Sequence, residues 1–123
     1  VNETYLIKEK PVLFELSFEK IAREQLLLNV SPIFNRGLHD RVLAGMANKT
    51  VVLTDENPYL RTRFKDRENI ALYSLKNMES LSELAGELME NSSLRENIAE
   101  QGYQEFAANH TWSERAKTIL SWT

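Results

Sequence analysis

The sequence predicts a three-layer α/β domain with a parallel sheet and a helical C-terminal tail. Three observations predict it. Two short apolar runs, Leu26 to Val30 and Thr50 to Thr54, flank a polar loop and a helix-spaced segment. A third run, Ile70 to Tyr73, follows a short helix signal. From Asn77 onward the apolar residues keep a helical period. Strands alternating with helices, then helices alone, describe a sheet covered on both faces. Such sheets have roughly five or six strands, and only three are read here. The chain also opens Val1-Asn2-Glu3, without Met. One domain is expected, cut from a longer protein at its N-terminal side.

Taken in order, Tyr5-Leu6-Ile7 and Val12-Leu13-Phe14 are apolar clusters short enough for strands. Ser17 suits a helix N-cap, with Phe18, Ile21 and Ala22 at helical spacing behind it. Leu26-Leu27-Leu28-Asn29-Val30 is continuous and apolar, the pattern of a parallel strand buried on both faces. Leu38, Val42 and Met46 then step by four, flanked by Leu43 and Ala47, and mark an amphipathic helix. Thr50-Val51-Val52-Leu53 is β-branched and apolar, a second buried strand.

Asn57 should cap a short helix with Pro58 at its first position, where a missing N–H costs nothing. Ile70-Ala71-Leu72-Tyr73 is the third strand. Leu81, Leu84, Ala85 and Leu88 form one helical stripe, and Leu94, Ile98, Gly102 and Phe106 another. Ser93 with Glu96, and Thr111 with Glu114, have capping-box spacing. The last helix should therefore start at Thr111 and turn Trp112, Ala116, Ile119 and Leu120 inward. Trp122 joins that inner face.

Composition narrows the function. A net charge of −3 argues against general affinity for nucleic acid or anionic membrane. The absence of cysteine excludes a disulfide framework and thiolate catalysis, and fits a reducing, cytoplasmic setting. No apolar run reaches the ~20 residues of a transmembrane helix. Two histidines, His39 and His110, lie far apart with no acidic pair at metal spacing. His110, just before Thr111, reads as structural or exposed. No GxSxG, P-loop or GxGxxG is present.

The candidate site is the loop after the first strand, because ligands of open parallel sheets bind where strands end and helices begin. It holds Asn35, Arg36, Gly37, His39, Asp40 and Arg41. A helix N-terminus offers unpaired N–H groups and a partial positive charge. Gly37 can adopt φ > 0 and admit a ligand to the backbone. Arg36 and Arg41 can pair with phosphate oxygens, and His39 can donate to phosphate or a sugar hydroxyl. Asp40 argues the other way, since it satisfies the helix dipole and repels phosphate. The competing reading is a solvated loop with a glycine turn. Thr54 and Asp55, at the next strand end, complete the candidate set, and Asp55-Glu56 is either an acid pair or loop chemistry.

The order of motifs resembles a known family. LNVSPIFNRGLHDRVLAGMANKTVVLTD, residues 28–55, is similar to the spore-maturation (CgeB-like) glycosyltransferases of the GT-B superfamily. The likeness continues through Tyr59-Leu60, Phe64-Lys65-Asp66, the strand end at Tyr73 and His110-Thr111-Trp112-x-x-Arg115. It covers about residues 17–120. The resemblance implies a Rossmann-like C-terminal half of a GT-B enzyme, which binds the nucleotide-sugar donor. An acceptor-binding N-terminal domain of the same chain would lie upstream. It places the donor diphosphate near Gly37, His39 and Arg41, requires no metal or other cofactor, and names no catalytic residue. Stabilising the leaving diphosphate would be the main catalytic task.

The departures matter as much. Many retaining relatives carry two glutamates eight positions apart, the second holding ribose hydroxyls. Those places are Arg36 and Ala44 here. Lys49 replaces a usual glycine and Val51 a usual proline. A degenerate, non-catalytic binding or scaffold module is therefore the alternative.

Overall fold

The structure is a computed structural model that describes residues 25–33 and 36–122. The expected strands before residue 15, the Ser17 helix and Asn35 lie outside the described residues. The elements run β1 (Leu26–Asn29), α1 (Asp40–Ala47), β2 (Val51–Asp55), α2 (Pro58–Arg63), β3 (Ala71–Tyr73), α3 (Met78–Glu90), α4 (Ser92–Asn109) and α5 (Trp112–Ser121). The three strands form a parallel sheet in chain order. Leu26 stands opposite Val51, and Leu53 opposite Ala71.

Alternation along β2 and β3 divides the core. Val52 and Leu72 join Val42, Met46, Leu60, Phe64 and Ile70 on the α1–α2 face. Val51, Leu53, Ala71 and Tyr73 meet Leu84, Leu88 and Ile98 on the α3–α4 face. Every residue of β2 and β3 is buried, as apolar runs covered on both sides require. α4 serves both halves of the core: Ile98 packs in the second, whereas Phe106 packs against the first.

Strand β1 departs from its expected burial. Leu28 is 52% exposed and Val30 47%, because among the described residues β1 is an edge strand paired only with β2. The apolar run is real, but among the described residues it pairs with one strand rather than two.

The caps explain the boundaries. Asn57 Oδ1 accepts from Leu60 N at 2.8 Å, with Pro58 at the first helical position. Thr111 Oγ1 accepts from Glu114 N at 3.2 Å and starts α5. The expected Ser93 cap is displaced. Asn91, the single residue between α3 and α4, ends one helix and begins the other, its Oδ1 accepting from Leu94 N at 3.0 Å. At the end of α1, Thr50 N bonds Gly45 O at 2.9 Å and Lys49 N bonds Met46 O at 3.1 Å, a Schellman closure. It holds Lys49 at φ 55°, which explains why glycine is usual there. Lys49 keeps its ammonium 3.3 Å from Glu100 and over the Tyr103 ring, partly offsetting the strain.

The inward face expected for α5 is not present among the described residues. Trp112 is 87% exposed and Trp122 77%, with Ile119 and Leu120 also exposed. α5 packs on α4 and its apolar residues stay exposed, so its periodicity does not meet the core.

Candidate functional site

The carboxyl ends of the strands are tied by a buried polar network. Asn29 Nδ2 donates to Ser31 Oγ at 2.9 Å and to Thr54 Oγ1 at 3.0 Å. Asp55 Oδ1 accepts from Ser31 N at 2.8 Å and Thr54 Oγ1 at 3.3 Å. Tyr73 Oη donates to Asn29 O at 2.7 Å, so β3 is bonded to β1 past the strand between them. Burial, and then the Asp55 charge, push the Tyr73 hydroxyl up to about 12. Asn29 Oδ1 is the one buried side-chain acceptor among the described residues that has no partner.

This network fixes the loop that follows β1 at its first residues, through Ser31. The far end is fixed by Asn57, whose Nδ2 donates to Gly37 O at 3.1 Å. One side chain thus caps α2 and holds the approach to α1. Asn57→Ala should cost about 1–2 kcal/mol by urea denaturation, from the lost cap and the lost tether together.

Gly37 does not use the conformation expected of it. No described glycine has φ > 0, and a Cβ added at Gly37 meets nothing within 4 Å. The position is therefore open rather than conformationally demanding. His39 is the N-cap of α1, its Nδ1 accepting from Arg41 N at 3.1 Å and Arg41 Nε at 3.2 Å. Nδ1 is thus the acceptor that closes the first turn of the helix. Arg41 is folded back onto the cap and does not border the adjacent cleft.

That cleft, about 730 Å³, runs beside α1 and is closed by the end of α4 and the start of α5. Its wall is apolar, from Leu38, Leu43, Ala44, Ala47 and Phe106. Tyr59 and Trp112 add aromatic rings. Its charged groups are Arg36, Arg115 and Asp40, with His110 also on the wall. His110 stacks on Phe64 with centroids 5.1 Å apart and lies 3.3 Å from Glu105 Oε1, which makes it a packing residue.

The candidate set is therefore divided. Arg36 and Gly37 border the cleft, His39 and Arg41 form the cap beside it, and Thr54 and Asp55 belong to the network behind the loop. Glu56 is not part of an acid pair, since it binds Arg61. Asn29, Ser31, Tyr73, Tyr59 and Arg115 were not singled out as site residues from sequence. All five lie within the motifs that carry the family resemblance, Arg115 through the Trp112-x-x-Arg115 spacing, where a basic residue recurs one turn after an aromatic one.

Among the described residues no three His, Cys, Asp or Glu side chains gather where they could hold a metal ion. No helix among them is long and apolar enough to cross a membrane.

Comparison with known proteins places this architecture. The fold is similar to the crystal structure of the C-terminal domain of a glycosyl transferase group 1 family protein (LpcC) from Francisella tularensis. The TM-score is 0.62 at 24% identity, over 72% of this chain and 44% of that one. The chain thus spans less than half of that structure's length. No curated protein matches the chain. Residues 11–121 match a family described as glycosyl transferase-like. With a GT-B C-terminal architecture and a family match over nearly its whole length, the chain belongs to the glycosyl transferase-like family.

Proposed function

We propose that this domain binds the nucleotide-diphosphate sugar of a CgeB-like glycosyltransferase. Transfer to an acceptor would need an N-terminal domain of the same protein. The carrying observation is the state of the arginines. Arg41 bonds His39, Arg61 bonds Glu56, Arg67 bonds Glu87, Arg95 bonds main-chain carbonyls and Arg63 lies over Tyr59. Among the described residues, only the guanidiniums of Arg36 and Arg115 have no hydrogen bond, ion pair or ring contact, and both border the cleft. Two unpaired guanidiniums on one cleft suit a diphosphate, which each can hold in bidentate fashion. They would also stabilise it as a leaving group.

In this reading Arg36 and Gly37 border the diphosphate and Arg115 closes on it from α5. His39 with Arg41 shapes the corner, and Thr54 and Asp55 hold the loop. The apolar wall and the rings of Tyr59 and Trp112 are left for the rest of the nucleotide or sugar. The cleft has the volume of ordinary small-molecule sites.

Thermal shift of the chain with uridine, guanosine and thymidine diphosphates tests this. A nucleotide at a hundred times its dissociation constant should add ~2.7 kcal/mol of stability. Arg36→Ala and Arg115→Ala should each weaken binding by roughly tenfold or more. No shift with any of the three nucleotides would overturn the reading. One observation favours the scaffold alternative: Ala44, on the cleft wall, offers nothing to a ribose.

A further inference from the structure

One side chain joins two walls of the cleft without bordering it. Asn57 Oδ1 accepts from Leu60 N and starts α2, the helix that brings Tyr59 to the cleft. Asn57 Nδ2 donates to Gly37 O at 3.1 Å, and Gly37 and its neighbour Arg36 border the same cleft. The anchor is firm on the α2 side. Pro58 fixes the backbone of the first helical position, and Leu60 is buried in the core. The loop side is not firm: Arg36 is exposed, and a Cβ at Gly37 meets nothing within 4 Å. The bond therefore ties an open stretch of loop to a fixed helix start.

An arginine loses much rotamer freedom when it grips an anion, and a main chain already held in place lowers that ordering cost. A shift of ~1 Å in the backbone beneath it is enough to spoil a two-pronged contact with phosphate. We propose that Asn57 is a positioning residue. It touches no ligand, and it holds the Gly37 main chain so that Arg36 meets the diphosphate. The proposal rests on the donor-binding reading above and adds the group that sets the strength of that contact.

Cap and tether use different atoms of the amide, so substitution can part them. Asn57→Ser keeps a cap acceptor but is too short to reach Gly37. Asn57→Asp keeps the acceptor and puts an oxygen, which cannot donate, in place of Nδ2. The chain is titrated calorimetrically with uridine, guanosine and thymidine diphosphates, and the variants are compared on the tightest of the three. Asn57→Ser should bind it about tenfold more weakly. Double-mutant cycles then identify the route. In an Arg36→Ala chain, Asn57→Ser should cost less than about twofold further, because the group it positions is gone. In an Arg115→Ala chain it should cost the full tenfold or so. Asn57→Asp takes its place if Asn57→Ser is unfolded at the working temperature.

Binding as tight as that of the unaltered chain would mean a cap alone and would overturn the proposal. Equal losses in the two arginine backgrounds overturn it too, because a general loosening of the fold does not distinguish Arg36 from Arg115. Either result leaves nucleotide binding intact. Failure of the unaltered chain to bind any of the three diphosphates overturns both readings.

Discussion

Gly102→Val is expected to destabilise the domain by about 3 kcal/mol, although glycine is a poor helix former. Gly102 lies inside α4, where it is buried. A Cβ there stands 2.9 Å from the main-chain oxygen of Asn69 and 3.5 Å from Met46 Cγ. Met46 can shift, but Asn69 cannot. Its turn is closed by Asn69 N to Lys65 O at 3.1 Å, Arg67 N to Ile70 O at 2.7 Å and Lys65 N to Asn69 Oδ1 at 2.7 Å. Arg67 already sits at φ 66°. The helix must therefore move away from the sheet, and Ile98 and Phe106 move with it. Gly86, on the exposed face of α3, is the control. Nothing lies within 4 Å of its Cβ position, so Gly86→Ala should add about 0.5–1 kcal/mol. Urea denaturation of both variants checks the opposite signs. A Gly102→Val chain as stable as the parent would show that α4 does not press on the Asn69 turn.

The second large effect is alkaline. Tyr73 is 1% exposed, and its hydroxyl is pushed from 10.0 to about 12 by burial and by the nearby Asp55 charge. Between those values the unfolded chain has released the proton and the folded chain has kept it. The unfolded state binds fewer protons there, so stability falls as pH rises. The contribution is fully present below pH 10 and is lost by about pH 12, about 3 kcal/mol in all. Tyr73→Phe should cost about 1 kcal/mol at neutral pH, since Asn29 O loses a buried donor. It should also flatten the alkaline slope. Denaturation midpoints at pH 9, 10 and 11 for both chains measure this, and parallel slopes would rule it out.

The legible parts of the sequence were those whose cause is local. The β2 run, the Asn57-Pro58 helix start and the Thr111 cap each depend on residues within a few positions. The α5 face was misread because periodicity shows which residues share a side, not whether anything covers that side. The Ser93 cap was misread because two helices share Asn91, which no single-helix pattern reveals. In the candidate site, Arg36 and Gly37 were visible as loop residues. Arg115 was visible only as part of a C-terminal motif and not as a site residue, because only the turn between α4 and α5 brings it to the cleft. The Tyr73–Asn29 bond joins residues 44 positions apart and has no local signature.

That bond has a mechanical consequence. Parallel strands are usually held only to their immediate neighbours, so the loops at their ends can open one at a time. Here a side chain of the third strand grips the backbone of the first, and the second strand's Thr54 and Asp55 grip the same corner. The three loops are therefore coupled like stays on one post. A load placed on the loop after β1, where a ligand would pull, is shared by the whole sheet edge rather than borne by one hinge.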